Sequence, residues 1–169
     1  FSHFWGTLQF DPAHVERSTA MLTISTGAVR TSNNSDNIKS QDFLDCEHFS
    51  VATFRLTSIQ PTDADASMFY ATSDIMVRGN TRQIAFPIRL RVERDILHVA
   101  ADVTINRRAF GINTALYGRR PLRDEVVVHV AGSGSVVAPG DDPAAERDAH
   151  LTITGHLLEH ARRCGARVV

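Results

Sequence analysis

The residues of this chain that are equipped for chemistry are its histidines, carboxylates, arginines and two cysteines. His156 and His160 stand four apart in a helix-compatible stretch, so they share one face. Two metal ligands can be placed that way, but a metal site needs at least a third. His150 and Glu159 are nearby, yet nothing in their spacing selects either, and no metal is assigned. Cys46 and Cys164 lack C-x-x-C spacing, and two cysteines are too few for a disulfide framework. They read as reduced thiols. Asp42 and Asp45 form an acidic pair within one polar loop, a pattern common on solvated surfaces. No Gly-x-Ser-x-Gly elbow, phosphate loop or Gly-x-Gly-x-x-Gly turn occurs. The chain therefore reads as no enzyme, and no cofactor is assigned.

The arginines offer a different chemistry. Asn106, Arg107 and Arg108 follow an apolar strand ending at Ile105. A guanidinium there can meet a ligand head group or an anionic lipid, or it can bond to backbone carbonyls and carboxylates. Arg119, Arg120 and Arg123 make a small basic loop, either solvated or in contact with lipid phosphate. His98 and His129 fall within strands, on the outer face.

The elements that position these groups are strands. Ile84, Phe86, Ile88, Leu90 and Val92 alternate with Ala85, Pro87, Arg89, Arg91 and Glu93. Leu97, Val99, Ala101, Val103 and Ile105 do the same, and such a period puts one set on a buried face. Arg94-Asp95 between the two runs reads as a tight hairpin. Further strands are expected at 20–26, 52–59, 68–77 and 125–131. Arg78-Gly79-Asn80-Thr81 reads as a turn, and Pro61-Thr62-Asp63 as a break. Residues 31–48 are polar, with Ile38, Phe43 and Leu44 able to form one face of a short helix. Gly132-Ser133-Gly134-Ser135 and Pro139–Pro143 are linker-like, and a weakly helical appendage with a short strand at 151–154 follows. Successive strands with hairpin turns predict an all-β antiparallel sandwich or barrel.

Composition agrees with one folded domain. The 169 residues are 43% apolar and 22% charged. Eighteen basic against nineteen acidic residues give a net charge of -1, which argues against a nucleic-acid partner. No apolar run reaches the ~18 residues that a membrane-spanning helix needs. The chain begins at Phe1, and Phe1, Phe4 and Trp5 look like core residues, so sequence is expected to precede Phe1. The compartment is left open.

The order of motifs resembles the YceI-like, lipid-binding family. Arg30-Thr31-Ser32-Asn33, Asp36, Ile38, Ser40 and Asp42-Phe43-Leu44-Asp45 resemble its first turn and helix, followed by Thr53-Phe54. Ile75-Met76-Val77-Arg78-Gly79, Thr81-Arg82, Ile84 and Phe86-Pro87 resemble its central hairpin. Thr104-Ile105-Asn106-Arg107 and Phe110-Gly111-Ile112 resemble its late motif, and Asp124-Glu125-Val126 its closing strand. Relatives often carry Asp where this chain has Ala109, so any contact of that carboxylate is absent. The resemblance implies an extended lipocalin-like antiparallel β-barrel of about eight strands over residues 1–138, with its first strand truncated and a short helical excursion. Residues 139–169 would be an appendage without family counterpart.

The resemblance also implies an apolar tunnel for a polyisoprenoid, a quinone or a similar long-chain amphiphile, and some relatives form homodimers. By alternation, Phe54, Ile75, Val77, Ile84, Phe86, Ile88, Val99 and Ala101 point inward. Alternation fits a packed core as well as a tunnel; the resemblance favours the tunnel. Phe43, Leu44 and Phe49 would line its mouth, Phe110 of the late motif would join the wall, and Asn106 and Arg107 would meet the head group. The expected function is binding, storage or transport of that molecule. The alternatives are a filled barrel acting as an interaction module and, third, a barrel enzyme acting on a lipid-like substrate.

Overall fold

The computed structural model describes residues 3–30, 35–63, 65–94, 96–114, 116–117 and 120–135. The strands are β1 (Phe4–Gln9), β2 (Thr19–Ser25), β3 (Val51–Pro61), β4 (Met68–Val77), β5 (Asn80–Glu93), β6 (Ile96–Asn106), β7 (Leu116–Tyr117), β8 (Arg120–Pro121) and β9 (Glu125–Ser135). One short helix, α1 (Ser35–Lys39), lies in the polar excursion. Seven strands form one antiparallel sheet in the order β1-β2-β3-β4-β5-β6-β9, and β7 pairs with β8 alone. The sheet is curled into a half-barrel of seven strands, in line with the lipocalin-like barrel of about eight strands, the first truncated, that the resemblance implied. Among the described residues its edge strands β1 and β9 do not pair with each other.

Register sets one face of every strand toward the hollow. Phe54 of β3 stands opposite Ile75 of β4, Ala71 opposite Phe86 of β5, and Ile88 opposite Ala101 of β6. These side chains pack into two adjoining clusters. One centres on Ile59, Phe69, Leu90 and Leu97. The other centres on Ala71, Phe86 and Val103, and Leu56 and Ile88 belong to the margin of both. Charged partners such as Arg55 and Asp74 meet on the convex side, 2.7 Å apart.

Two local features shape the wall. Pro87 has no N–H to give, and the β5–β6 ladder begins only at Ile88. Phe86 and Val103 therefore bridge β5 and β6 by packing where no ladder joins them. The β4–β5 hairpin turns on Arg78 and Gly79, with φ of 50° and 68°. Two positive φ values are what a two-residue hairpin of right-handed twist demands. A Cβ on Gly79 would also lie 3.0 Å from the Phe49 ring, so a larger residue there strains the backbone and presses on that ring.

Several expectations need correction. Phe4–Gln9 is a strand, and its alternation turns Trp5 outward, 51% exposed, instead of into the core. Gly132–Ser135 is no linker: β9 runs on through it because Ile96–Val99 of β6 offer unpaired backbone there. The strand at 52–59 extends to Pro61, so the break follows that proline. The strand at 68–77 has the expected bounds. Phe1, Arg119 and everything from residue 136 onward, including His150, His156, Glu159, His160 and Cys164, lie outside the described residues.

Candidate functional site

The concave face of the half-barrel is a continuous apolar wall. Phe54, Ile75, Ile84, Phe86, Ile88 and Ala101 belong to one cluster, and Val99 packs on the other. Phe86 is buried as floor beneath the wall, its ring 6.3 Å from that of Phe54. The remaining members are only half-buried. The wall continues onto β9, where Val126, Val128 and Val130 stand opposite Ile105, Val103 and Ala101. These three valines face the hollow and are 40%, 36% and 36% exposed. The sequence reading missed them, together with Leu56 and Phe10. The run Val126-Val127-Val128 hides the period of two, because Val127 is apolar although it faces out.

One end of the hollow is closed by loops. Phe110 is fully buried there, Phe43 is buried, and Leu44, Phe49 and Val77 are half-buried. The Arg78 guanidinium ties the closure together, donating to the carbonyls of Gly111 at 2.7 Å and Gln41 at 3.1 Å. The Asn80 side-chain amide donates to the carbonyls of Arg78 and Phe110. Thr26 donates to the Phe49 carbonyl, and Thr114 to that of Asp42. Asp42, Arg78, Phe110 and Gly111, which come from three of the family-like motifs, thus meet at one end although they are far apart in sequence. Phe43, Leu44 and Phe49 sit in this closure.

Arg107 is 5% exposed. Its guanidinium donates to the carbonyls of Arg123 at 2.9 Å and Ile112 at 2.7 Å, and to Asp124 Oδ1 at 2.9 Å. Of the two readings open for this arginine, these contacts are those of the structural one. The Asn106 side chain accepts from the Arg108 N–H and caps the 3-10 turn Arg107–Phe110. Arg108 shares Asp124 from the solvent side. Arg82 is placed differently: opposite Ile75, it continues the inner row of β5 beyond Ile84 and is exposed.

The closure also holds a titratable pair. Asp45 is buried and held at a φ of 49°, and His48 Nδ1 lies 2.8 Å from its Oδ1. The hydrogen bond to Asp45, then its charge, raise the His48 pKa above 6.5. The proton on His48 therefore stabilises the loop fully below pH 6.5, and that contribution is lost as pH rises through the raised value. The ring titration of His48, followed by NMR, is expected to have its midpoint above 6.5. Asp45→Asn, which tolerates the left-handed backbone, should bring it down; an unmoved midpoint refutes the pairing.

Among the described residues, the carboxylates and histidines singled out in the sequence do not converge in the hollow. Asp42 and Asp45 lie in the loop closure, with Asp45 committed to His48. His98 and His129 are on the convex side, and His129 pairs with Asp102 across the β6–β9 ladder. Among the described residues, no group of three or more His, Cys, Asp or Glu is placed to hold a metal ion. A shallow depression of about 260 Å³ near the β5–β6 hairpin is lined by Arg89, Arg91, Glu93, His98, Val99 and Ala100. No described helix is long and apolar enough to cross a membrane.

Known proteins share this architecture. BcnA of Burkholderia cenocepacia superposes with a TM-score of 0.72 at 20% identity, over 79% of this chain and 84% of that one. The YceI protein of Campylobacter jejuni gives 0.71 at 18% identity, over 82% and 84%. In sequence, a UPF0312 protein of Ectopseudomonas mendocina is 31% identical over 86 residues, and one of Vibrio cholerae 29% identical over 87. Each alignment covers 50% of this chain and 44% of the relative, so the chain spans less than half the length of these relatives. The YceI-like domain matches residues 1–133, from before β1 through most of β9, and the chain belongs to that family.

Proposed function

We propose that the concave face binds and carries a long-chain apolar molecule, a polyisoprenoid, a quinone or a similar amphiphile, without chemical change. One observation carries this reading. Val126, Val128 and Val130 leave apolar surface exposed inside the hollow, continuous with the wall of Ile88, Val99 and Ala101. An apolar chain laid along that wall loses its hydration there, at about 0.8 kcal/mol per methylene, and needs no polar partner. Ile75, Ile84 and Phe54 extend the wall toward the closure formed by Phe43, Leu44, Phe49, Val77 and Phe110. The hydrogen bonds of Asn106 and Arg107 are made within the protein. Contact with a ligand head is instead assigned to Arg82, which is exposed in the inner row of β5 and commits one guanidinium N–H to the neighbouring Thr81 carbonyl.

The packing of Phe86, Ala71 and Val103 supports a second reading, a filled half-barrel that serves as an interaction module without ligand. Mass spectrometry of the purified full chain, first under native and then under denaturing conditions, separates the two. The carrier reading expects one long-chain molecule per chain, released on denaturation and recovered in organic solvent. A chain that stays at its apo mass even after incubation with a polyprenol overturns it.

A further inference from the structure

The middle of the apolar wall contains one polar atom that the protein does not satisfy. Ser73 of β4 is 0% exposed, and its Oγ has no hydrogen-bond partner. Its row on the inner face is Phe69, Ala71, Ser73, Ile75 and Val77, otherwise apolar throughout. Across the ladders it stands opposite Leu56 on one side and Ile84 on the other. Buried hydroxyls are nearly always paired, because an unpaired one forfeits its hydration for nothing. Alanine would fill this place without that cost.

A second feature points to the same spot. The β3–β4 register slips between Leu56 and Ser58, so Thr57 is an extra residue directly beside Ser73's partner. Thr57 turns its hydroxyl to the Thr72 carbonyl at 2.8 Å. Bulges bend a strand and re-aim side chains, and they gather beside binding sites. Leu56 stands opposite Ser73 at this bulge and is only half-buried, so it is the neighbour whose side chain would have to move for a bound chain to reach the hydroxyl.

We propose that Ser73 is a specificity residue whose hydroxyl pairs with a neutral oxygen, a hydroxyl or a carbonyl, on the chain bound along the concave face; this rests on the carrier reading above. A hydroxyl both donates and accepts, so either oxygen satisfies it. The ligand is then an oxygen-bearing chain lying with that oxygen at mid-wall, and a pure hydrocarbon leaves Ser73 unpaired.

The test uses the full chain and Ser73→Ala, each titrated with three isoprenoid probes of equal length: a hydrocarbon, its prenol and its methyl ketone. Wild type should bind at least one oxygenated probe about fivefold to tenfold tighter than the hydrocarbon. Whether the prenol or the ketone gains more identifies the oxygen. Ser73→Ala should lose that preference, hold the hydrocarbon at least as tightly, and melt no lower than wild type. The proposal is overturned if wild type shows no preference or if Ser73→Ala keeps it. If no probe binds either protein, the carrier reading itself falls.

Discussion

Arg107→Ala is expected to lower stability by about 3 kcal/mol. The guanidinium joins three segments at once: the turn that follows β6 through its own backbone, the Ile112 carbonyl, and the Arg123–Asp124 stretch leading into β9. Its backbone adds a further bond, from its N–H to the Asp124 carbonyl. Truncation leaves two carbonyls without their donor and frees Asp124 to pair with Arg108 alone. For a domain of this size the loss corresponds to a fall in melting temperature of roughly 10 °C. Arg107→Lys should recover only part of it, because an ammonium cannot reproduce the planar fork. Thermal unfolding checks the size. A head-group role predicts the opposite pattern, with the melting temperature kept and ligand affinity lost.

The strand faces were legible in the sequence, whereas the contacts of Arg107 were not. Alternation over 84–90 and 97–105 identified the inner faces of β5 and β6, because a period of two on a one-sided sheet leaves little choice, but Val92, expected on the buried face, is 41% exposed at the hairpin end of β5. Arg78-Gly79 was legible as a turn from glycine's tolerance of positive φ. The role of Arg107 was not, since its partners Ile112, Arg123 and Asp124 reach it only through the loop that returns the chain to β9. Trp5 was misjudged because a large apolar side chain suggests the core, while its strand neighbours Phe4 and Gly6 decide the direction. The inner face of β9 was hidden by three successive valines, and its extension through Gly132–Ser135 by residues that elsewhere mark linkers. Ser73 carries no signal in sequence at all; its meaning comes from the apolar partners that the register places around it.

The second large effect concerns binding. The double substitution Val128→Asp, Val130→Asp puts two carboxylates on the open inner face of β9. Each removes an apolar contact worth about 1 kcal/mol to a bound chain. Each also obliges the chain to desolvate a charge, which costs more than the contact itself. Together they should weaken affinity by at least about 100-fold, or roughly 2.7 kcal/mol. Both sites are exposed on an edge strand, so the fold should survive with a fall of a few degrees in melting temperature. Val127→Asp is the control. It carries the same poor strand propensity onto the same strand but faces out, and it should leave affinity unchanged.

The most direct measurement is therefore the equilibrium affinity of a long-chain polyprenol for wild type, Val127→Asp and the double variant, with the melting temperature of each recorded alongside. A chain held on the concave face predicts equal affinity for the first two and its loss in the third. Equal affinity in all three, or as large a loss in Val127→Asp as in the double variant, would contradict it.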